Sequence, residues 1–193
     1  MRLLLCSASP RRRELLARLG VAFDAVAPKV DESPLPGEDP HALPLRLARL
    51  KARAGLAVAR AAEDTLALAA DTVVAVDGVS LGKPADRAEA ADMLARLSGR
   101  RHHVVTGVCA LAGDAERALT VTTEVEFAPL SSREIAWLTA SGDGDDKAGA
   151  YALQGLAGAF VRRIDGSWSN VVGLPLTETL ALLGEAGVAL PWL

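Results

Sequence analysis

The chain contains little that would support a disulfide framework, a membrane span or a nucleic-acid groove. Its two cysteines, Cys6 and Cys109, lie in apolar strand-like runs, where free buried thiols are common. No apolar run approaches the roughly 20 residues of a membrane-spanning helix, and residues 3–6 are too short for a secretory signal core. Three Phe, three Trp and one Tyr, with a net charge of −3, argue against a nucleic-acid polymer as partner. We therefore expect a soluble, intracellular protein.

Several familiar catalytic patterns are also missing. The sequence has no Cys/His spacing for zinc, no Gly-x-Ser-x-Gly nucleophile elbow and no dinucleotide fingerprint. These absences leave Mg²⁺ or Mn²⁺ with oxygen ligands as the candidate metals and give no support to covalent catalysis.

The charges are distributed unevenly. Residues 1–60 hold eleven Lys and Arg against six Asp and Glu, although the whole chain holds 21 against 24. This asymmetry suits a basic phosphate cradle that faces carboxylates able to hold a divalent cation.

The most informative pattern lies near the N-terminus, where an apolar strand runs into a helix. Ser9 is a favoured N-cap and Pro10 suits the first helical position. The free amides and positive dipole of such a helix end attract anions. Ser7 adds a hydroxyl, and Arg11 and Arg12 add guanidinium groups that match phosphate oxygens. The pattern predicts a phosphate site; the alternative is a turn whose arginines are merely solvated.

Two charged residues occur where apolar ones would be expected. Asp71 interrupts an apolar run over residues 66–76, and ionised carboxylates are rarely buried without a partner. It is either a functional acid or a hydrogen-bonded structural group. Lys51 lies at the edge of a helical apolar stripe, from which it can point into a cleft, whereas Arg46, Arg49, Arg53 and Arg60 follow another face and are expected to be solvated.

Two further polar residues are candidates for ligand binding. Asp77-Gly78 predicts a hairpin turn. Lys83 follows the second strand of this hairpin, where it can hold a phosphate or simply lie on the surface. Gln154 lies among small residues in a loop that enters a predicted strand. Its amide matches the edge of a uracil or thymine ring, and the alternative is a packing corner in which it caps the strand. His102 and His103 are adjacent in a strand, should face opposite sides and receive no role.

Hydrophobic periodicity and capping signals predict an α/β fold, a mixed twisted sheet flanked by helices. A helix begins after Ser9, and a long helix from residues 39–40 buries Leu43, Leu47, Leu50, Ala54 and Ala57. Residues 1–193 are treated as a single domain, with two closely fused lobes around a cleft as the alternative. The predicted strands cover residues 3–6, 21–30, 66–76, 79–82, 103–111, 118–127, 150–154 and 159–164. The later helices begin at the N-cap Asp86, at the capping box formed by Ser131 and Glu134, and near Pro175.

A set of short motifs, in order along nearly the whole chain, resembles the Maf family. The motifs are Ser7-Ala-Ser-Pro-Arg-Arg12, Asp31-Glu32, Leu47-Ala-Arg-Leu-Lys-Ala52, Ala70-Asp-Thr-Val-Val74, Leu81-Gly-Lys-Pro84, Leu97-Ser-Gly99, Val105-Thr-Gly107, Asp146-Lys-Ala-Gly-Ala-Tyr151, Gln154-Gly155 and Asn170-Val-Val-Gly-Leu-Pro175.

The resemblance implies a cytoplasmic house-cleaning nucleoside triphosphate pyrophosphatase that uses Mg²⁺ or Mn²⁺. It also implies a homodimer and a fold similar to that of the inosine triphosphate pyrophosphatases. The family has an association with inhibition of septum formation, so one alternative is a non-catalytic nucleotide-binding regulator of cell division. Another is a pyrophosphatase that acts on modified nucleotides.

Within the family, Arg11, Thr72 and Gln154 are similar to the specificity residues of the branch that acts on dTTP and UTP. The resemblance makes Asp71 the proton acceptor and assigns Glu32 and Asp71 to the metal. The residues expected to bind phosphate are Ser7, Ser9, Arg11, Arg12, Lys51 and Lys83. The chain departs from the family at Gly142-Asp143-Gly144, where the family has an acidic residue followed by proline. The loop at residues 142–147 is a candidate lid, and this departure puts its rigidity in doubt. Residues 33–40 form a second candidate lid loop.

Overall fold

The computed structural model describes residues 1–62 and 64–191. The strands are β1 Arg2–Cys6, β2 Asp24–Val26, β3 Thr65–Val76, β4 Val79–Leu81, β5 Arg101–Ala112, β6 Ala115–Phe127 and β7 Val161–Asp165. The helices are α1 Pro10–Ala17, α2 Leu43–Ala59, α3 Arg87–Leu97, α4 Ser132–Ser141, α5 Trp168–Val172 and α6 Leu176–Glu185. Two short 3₁₀ turns cover Ala148–Ala150 and Leu156–Phe160.

The strands form one seven-stranded sheet in the order β2-β1-β3-β5-β6-β7, with β4 also paired to β3. β1 runs parallel to β2 and β3, and the other pairings are antiparallel. β5 lies along one edge of β3, while β1 and then β4 share the opposite edge. The predicted mixed sheet flanked by helices is therefore confirmed.

Both faces of β3 are covered, because alternate side chains of a strand point to opposite sides. Leu66 and Leu68 pack with α1 and α6, whereas Ala67 and Ala69 pack beneath α2. Farther along the strand, Val74 packs with α3 and α4. This double coverage explains why β3 reads as a nearly continuous apolar run.

Two glycines allow α2 to approach the sheet closely. A Cβ at Gly55 would lie 2.2 Å from Cys6 Sγ, and a Cβ at Gly107 of β5 would lie 2.4 Å from the backbone of Leu45. Contacts this short cannot accommodate a side chain. Small residues at the contact therefore set the distance between α2 and the sheet, and with it the position of Lys51.

Most local signals in the sequence are confirmed. Ser9 caps α1 and Asp86 caps α3. Ser131 and Glu134 form both halves of the capping box of α4. Asp77 and Gly78 have φ values of 54° and 72°, as a two-residue hairpin turn between β3 and β4 requires.

Some predicted boundaries are wrong. Only Asp24–Val26 of the predicted strand at 21–30 forms β2, and Pro28 then lacks the N–H that a longer ladder needs. α2 begins at Leu43 because the Asp39 carbonyl and carboxylate close a turn over residues 39–43. In α2, Leu50 and Ala57 are exposed, and Ala48, Ala52 and Gly55 are buried in their place.

The segment at 150–154 is not a strand. It continues from the first 3₁₀ turn into a turn that ends at the second. The short helix α5 was not predicted from the sequence at all. Among the described residues, no helix combines the length and apolarity needed to cross a membrane.

The glycine contact at the α2–β5 interface can be tested by substitution. Gly107→Ala should lower the free energy of unfolding by about 3 kcal/mol or more, because the new methyl group overlaps the α2 backbone. Gly184→Ala is the matched control, since a Cβ at this position would meet only Leu190, at 3.9 Å. Gly184 also lies in α6, and alanine is favoured over glycine in a helix. Urea unfolding of both variants checks the difference. Equal stability of the two variants would contradict the close contact.

Candidate active site

The candidate site lies at a gap in the sheet beside β3. The pairing of β1 with β3 ends at Leu5 opposite Leu68, and the pairing of β4 begins at Leu81 opposite Val74. No described strand pairs with residues 69–73 on this edge. The carboxyl end of β1 and the end of β4 therefore border an open cleft, with Asp71 and Thr72 between them.

The cleft opens into a cavity of about 860 Å³. The structure brings every residue that the sequence singled out for the site to the wall of this one cavity. These are Ser7, Ser9, Arg11, Arg12, Glu32, Lys51, Asp71, Thr72, Lys83 and Gln154. Residues separated by up to about 150 positions in the chain thus share one pocket, which a single strand-to-helix turn with solvated arginines would not produce.

Asp71 and Lys51 form a buried ion pair on the α2 side of the sheet. Lys51 Nζ lies 2.5 Å from Asp71 Oδ1, and the two residues are 8% and 6% exposed. Lys51 Nζ also lies 3.0 Å from Glu32 Oε1. A buried charge requires such a partner, because desolvation without one costs several kcal/mol or more. The predicted projection of Lys51 into a cleft is confirmed.

Arg12 is held on the opposite face of β3. Its Nε donates to the Gly173 carbonyl at 2.7 Å, and its Nη2 donates to Thr72 Oγ1 at 3.0 Å. Thr72 in turn shares a 2.9 Å hydrogen bond with Thr106. Burial lowers the pKa of Arg12, and the nearby Asp71 carboxylate opposes that shift. The guanidinium group is therefore fixed beside the catalytic candidate.

The carbonyl that holds Arg12 depends on residues that sequence reasoning missed. Asn170 is fully buried, and its Nδ2 donates to the Val104 carbonyl and to Thr123 Oγ1. These bonds fasten α5 to the sheet, and the helix then ends at Gly173, which has a φ of 122°. The Gly-Leu-Pro sequence after α5 is a helix-stop signal that could have located this end.

The start of α1 has the predicted geometry. Ser9 Oγ accepts from Arg12 N at 3.4 Å, and Ser7 Oγ accepts from Ser9 N at 3.1 Å. Arg11 lies 3.9 Å from Asp146 of the loop at residues 142–147. The first helix therefore contacts both the cavity and a predicted lid loop.

The loop that carries Glu32 is attached to α2 by Arg46. Arg46 Nε donates to Glu38 Oε1 at 2.5 Å, and its Nη2 donates to the Ser33 carbonyl at 3.0 Å. The guanidinium group holds the pKa of Glu38 below its ordinary value. The prediction that Arg46 is merely solvated is wrong, since it restrains the residue next to Glu32. Arg49 and Arg53 instead pair with Glu116 on the surface.

Gln154 lies in a tight segment whose beginning is anchored by Tyr151. The Tyr151 hydroxyl and His102 Nε2 are 2.8 Å apart in the core. Burial, with a smaller contribution from His103, lowers the pKa of His102 to about 4. His102 is buried while His103 is exposed, so the prediction that they face opposite sides is confirmed. Gln154 and Lys83 are both exposed at the cavity wall.

The donor set fits a divalent cation that also takes ligands from outside the protein. Glu32 and Asp71 present carboxylate oxygens around one ammonium group. In the part of the chain that the structure describes, no three or more His, Cys, Asp and Glu residues are placed so that they could hold a metal ion by themselves. Mg²⁺ is commonly held by one or two carboxylates together with phosphate oxygens and water. The described residues suit that arrangement and not an all-protein metal cage.

The sequence is similar to one protein family and to several named relatives. The model of the family described as "Maf-like protein" matches residues 2–186. A protein of Anaeromyxobacter dehalogenans (strain 2CP-C) named dTTP/UTP pyrophosphatase is 53% identical over 195 residues, covering 99% of this chain and 97% of the relative. Relatives of the same name from Myxococcus xanthus (strain DK1622) and Sphingopyxis alaskensis are each 55% identical over 190 residues. They cover 98% and 97% of this chain, and 95% and 98% of their own lengths.

The buried His102 predicts a pH dependence of stability. Its folded pKa of about 4 lies below the ordinary value of 6.5, so the unfolded chain takes up the proton first as the pH falls. Stability from the neutral imidazole is complete above pH 6.5 and declines towards pH 4, by about 2 kcal/mol at pH 5.

Urea unfolding of the parent and of His102→Gln between pH 7 and pH 5 measures this contribution. The stability difference between them should shrink by about 2 kcal/mol as the pH falls, because the variant lacks the titrating group. His103→Gln, at an exposed position, should follow the parent. A constant difference across the range would contradict the buried neutral state.

Proposed function

The chain belongs to the Maf-like protein family, and from this membership we infer that it is a nucleoside triphosphate pyrophosphatase. It hydrolyses dTTP and UTP to the nucleoside monophosphate and pyrophosphate, as its relatives' names describe. The observation that carries the proposal is the buried carboxylate of Asp71, which lies in one cavity with several cationic side chains. The volume of about 860 Å³ is in the range of small-molecule sites.

In the proposed mechanism, Asp71 accepts a proton from the water that attacks the α-phosphorus. A new bond forms between the water oxygen and that phosphorus, while the bond from the α-phosphorus to the α–β bridging oxygen breaks. The electron pair of the broken bond leaves with pyrophosphate. Because phosphoryl transfer depends on positioning and charge neutralisation, Arg11, Arg12, Lys51 and Lys83 supply most of the stabilisation.

The α1 junction is proposed as the phosphate cradle. Ser7 and Ser9 offer hydroxyl groups there, and the guanidinium of Arg12, fixed on Thr72, offers N–H donors. Since Arg12 is already held by Gly173 and Thr72, little ordering of this side chain is needed when substrate binds.

Base selection is assigned to Arg11, Thr72 and Gln154. Gln154 has an amide at the cavity wall that can accept from and donate to a uracil or thymine edge. Thr72 contributes through Arg12, because its Oγ1 accepts a hydrogen bond from Arg12 Nη2. Arg11 contributes through its proximity to the loop at residues 142–147.

A divalent cation, Mg²⁺ or Mn²⁺, is proposed as the cofactor, held by Glu32 and Asp71. When bound there, it would neutralise triphosphate charge and polarise the phosphate. Lys51, which contacts both carboxylates, would then be free to pair with phosphate oxygens.

A homodimer and a cytoplasmic location are further proposals. They rest on the family resemblance alone. Light scattering on the purified protein tests the dimer, and cell fractionation tests the location.

The proposed activity is tested by incubating the protein with a panel of nucleoside triphosphates and measuring pyrophosphate. We expect release from dTTP and UTP. Nucleotide binding without pyrophosphate release would contradict the proposal and favour a regulator of cell division.

The role of Asp71 is tested by Asp71→Asn, which keeps the shape and removes the base. We expect turnover of dTTP to fall by about 10²–10⁴-fold, the usual contribution of general-base catalysis. Asp24→Asn is the matched control, because that carboxylate pairs with Arg2 on the surface. Circular dichroism checks that both variants are folded. Turnover at the parent rate in Asp71→Asn would show that another group accepts the proton.

The metal proposal is tested with a chelator and a titration. EDTA should abolish pyrophosphate release, and added Mg²⁺ or Mn²⁺ should restore it. Glu32→Gln should raise the Mg²⁺ concentration for half-maximal activity several-fold, because one ligand loses its charge. Glu14→Gln, on the exposed side of α1, should leave that concentration unchanged. Full activity in EDTA would overturn the proposal.

A further inference from the structure

Asp143 makes a contact that links two loops beside the cavity. Its Oδ2 accepts a hydrogen bond from Leu156 N at 3.0 Å, across 13 positions of the chain. The carboxylate packs so closely that a Cβ at Gly155 would lie 1.8 Å from Oδ2. Nearby, a Cβ at Gly144 would lie 2.0 Å from the Ala150 carbonyl oxygen. The loop at 142–147 therefore touches the segment around Gln154 at two points.

The Asp143 contact supplies a missing cap. The 3₁₀ turn Leu156–Phe160 begins after Gly155, which has no side chain to satisfy the first free amides. The Asp143 carboxylate fills that place from another loop, and a negative charge is favourable at a helical N-terminus. Gly155 N also donates to the Ala152 carbonyl at 3.1 Å, so Asp143 adds a restraint from another loop to the position of Gly155 and of the residue before it.

Gln154 is consequently held between two anchors. Tyr151, three residues earlier, is fixed in the core by His102, and Leu156, two residues later, is fixed by Asp143. Gln154 itself is exposed and lines the cavity. The first anchor is buried, whereas the second is a single hydrogen bond that the half-buried Asp143 carboxylate accepts from Leu156 N.

Restraint of this segment matters for the choice of base. An amide that can turn over exchanges its donor and its acceptor, so it matches a cytosine edge as well as a uracil or thymine edge. Discrimination between these pyrimidines requires a defined orientation of the amide at the base, and a fixed backbone at Gln154 limits the positions from which the amide reaches the base.

We propose that Asp143 is a positioning residue for Gln154 and thereby sets the preference for uracil and thymine nucleotides over cytosine nucleotides. This inference rests on the proposed function. It assigns Asp143 no contact with phosphate, so substitution should act on the selection of the base and leave phosphate binding intact.

The experiment compares kcat/KM for dTTP and dCTP in the full-length protein and its variants. Asp143→Ala should lower the dTTP/dCTP ratio about 10-fold, mainly through KM for dTTP, as expected when a substrate-positioning group shifts. Asp143→Asn retains an acceptor oxygen and should recover most of the ratio. Asp145→Ala removes a neighbouring exposed carboxylate of the same loop and should match the parent.

A double variant separates positioning from a general structural effect. If Asp143 acts through Gln154, Asp143→Ala in a Gln154→Ala background should cause no further loss of the ratio. Additive losses would overturn the inference, as would an unchanged ratio in Asp143→Ala. If Asp143→Ala fails to fold, Asp143→Ser takes its place, because its side chain is one bond shorter and does not reach Leu156 N. A lowered ratio in Asp143→Ser supports the inference, and a parent-like ratio overturns it.

The outcomes also separate this inference from the proposed function. A parent that releases pyrophosphate from dTTP, with a ratio insensitive to Asp143, overturns only the role of Asp143. A parent that releases no pyrophosphate from any triphosphate overturns both.

Discussion

The site depends on an interruption in strand pairing along one edge of β3. The pairing of β1 with β3 stops at Leu68, and β4, which runs antiparallel to β3, ends beside Val74. The intervening backbone borders a cavity because no described strand covers it there. Since alternate residues of a strand face opposite sides, adjacent positions can serve different purposes. Asp71 meets the ammonium group of α2, and Thr72 meets the guanidinium group of α1.

The packing of α2 is the second requirement of the site. Burial of a lysine ammonium group is costly, so a carboxylate partner must lie within hydrogen-bond distance of it once the helix has packed on the sheet. The glycines at positions 55 and 107 set the distance between helix and sheet, and the helix register then presents Lys51 to Asp71. The positions of the two charges thus follow from backbone packing. Uncharged residues, the two glycines, place Lys51 close enough to Asp71 for the pair to form.

Much of this arrangement can be read from the sequence where a local signal decides the outcome. Caps, the hairpin turn and the acid within an apolar strand identify α1, the β3–β4 hairpin and Asp71. The segment before Gln154 could not be assigned, because short apolar runs do not distinguish a strand from a 3₁₀ turn. The support that Asn170 and Arg46 give to the site also depends on long-range contacts, which have no local signature. Residue types therefore predicted which side chains line the cavity better than they predicted the framework that holds those side chains.

The scarcity of aromatic residues has a practical consequence for spectroscopy. Tyr151 is the only tyrosine in the chain, and it is buried against His102 and Phe127 at the start of the Gln154 segment. A chromophore in that position reports on a single place in the molecule. Ultraviolet difference absorption of the phenol would follow the environment of this segment without any label, because no other tyrosine contributes to the signal.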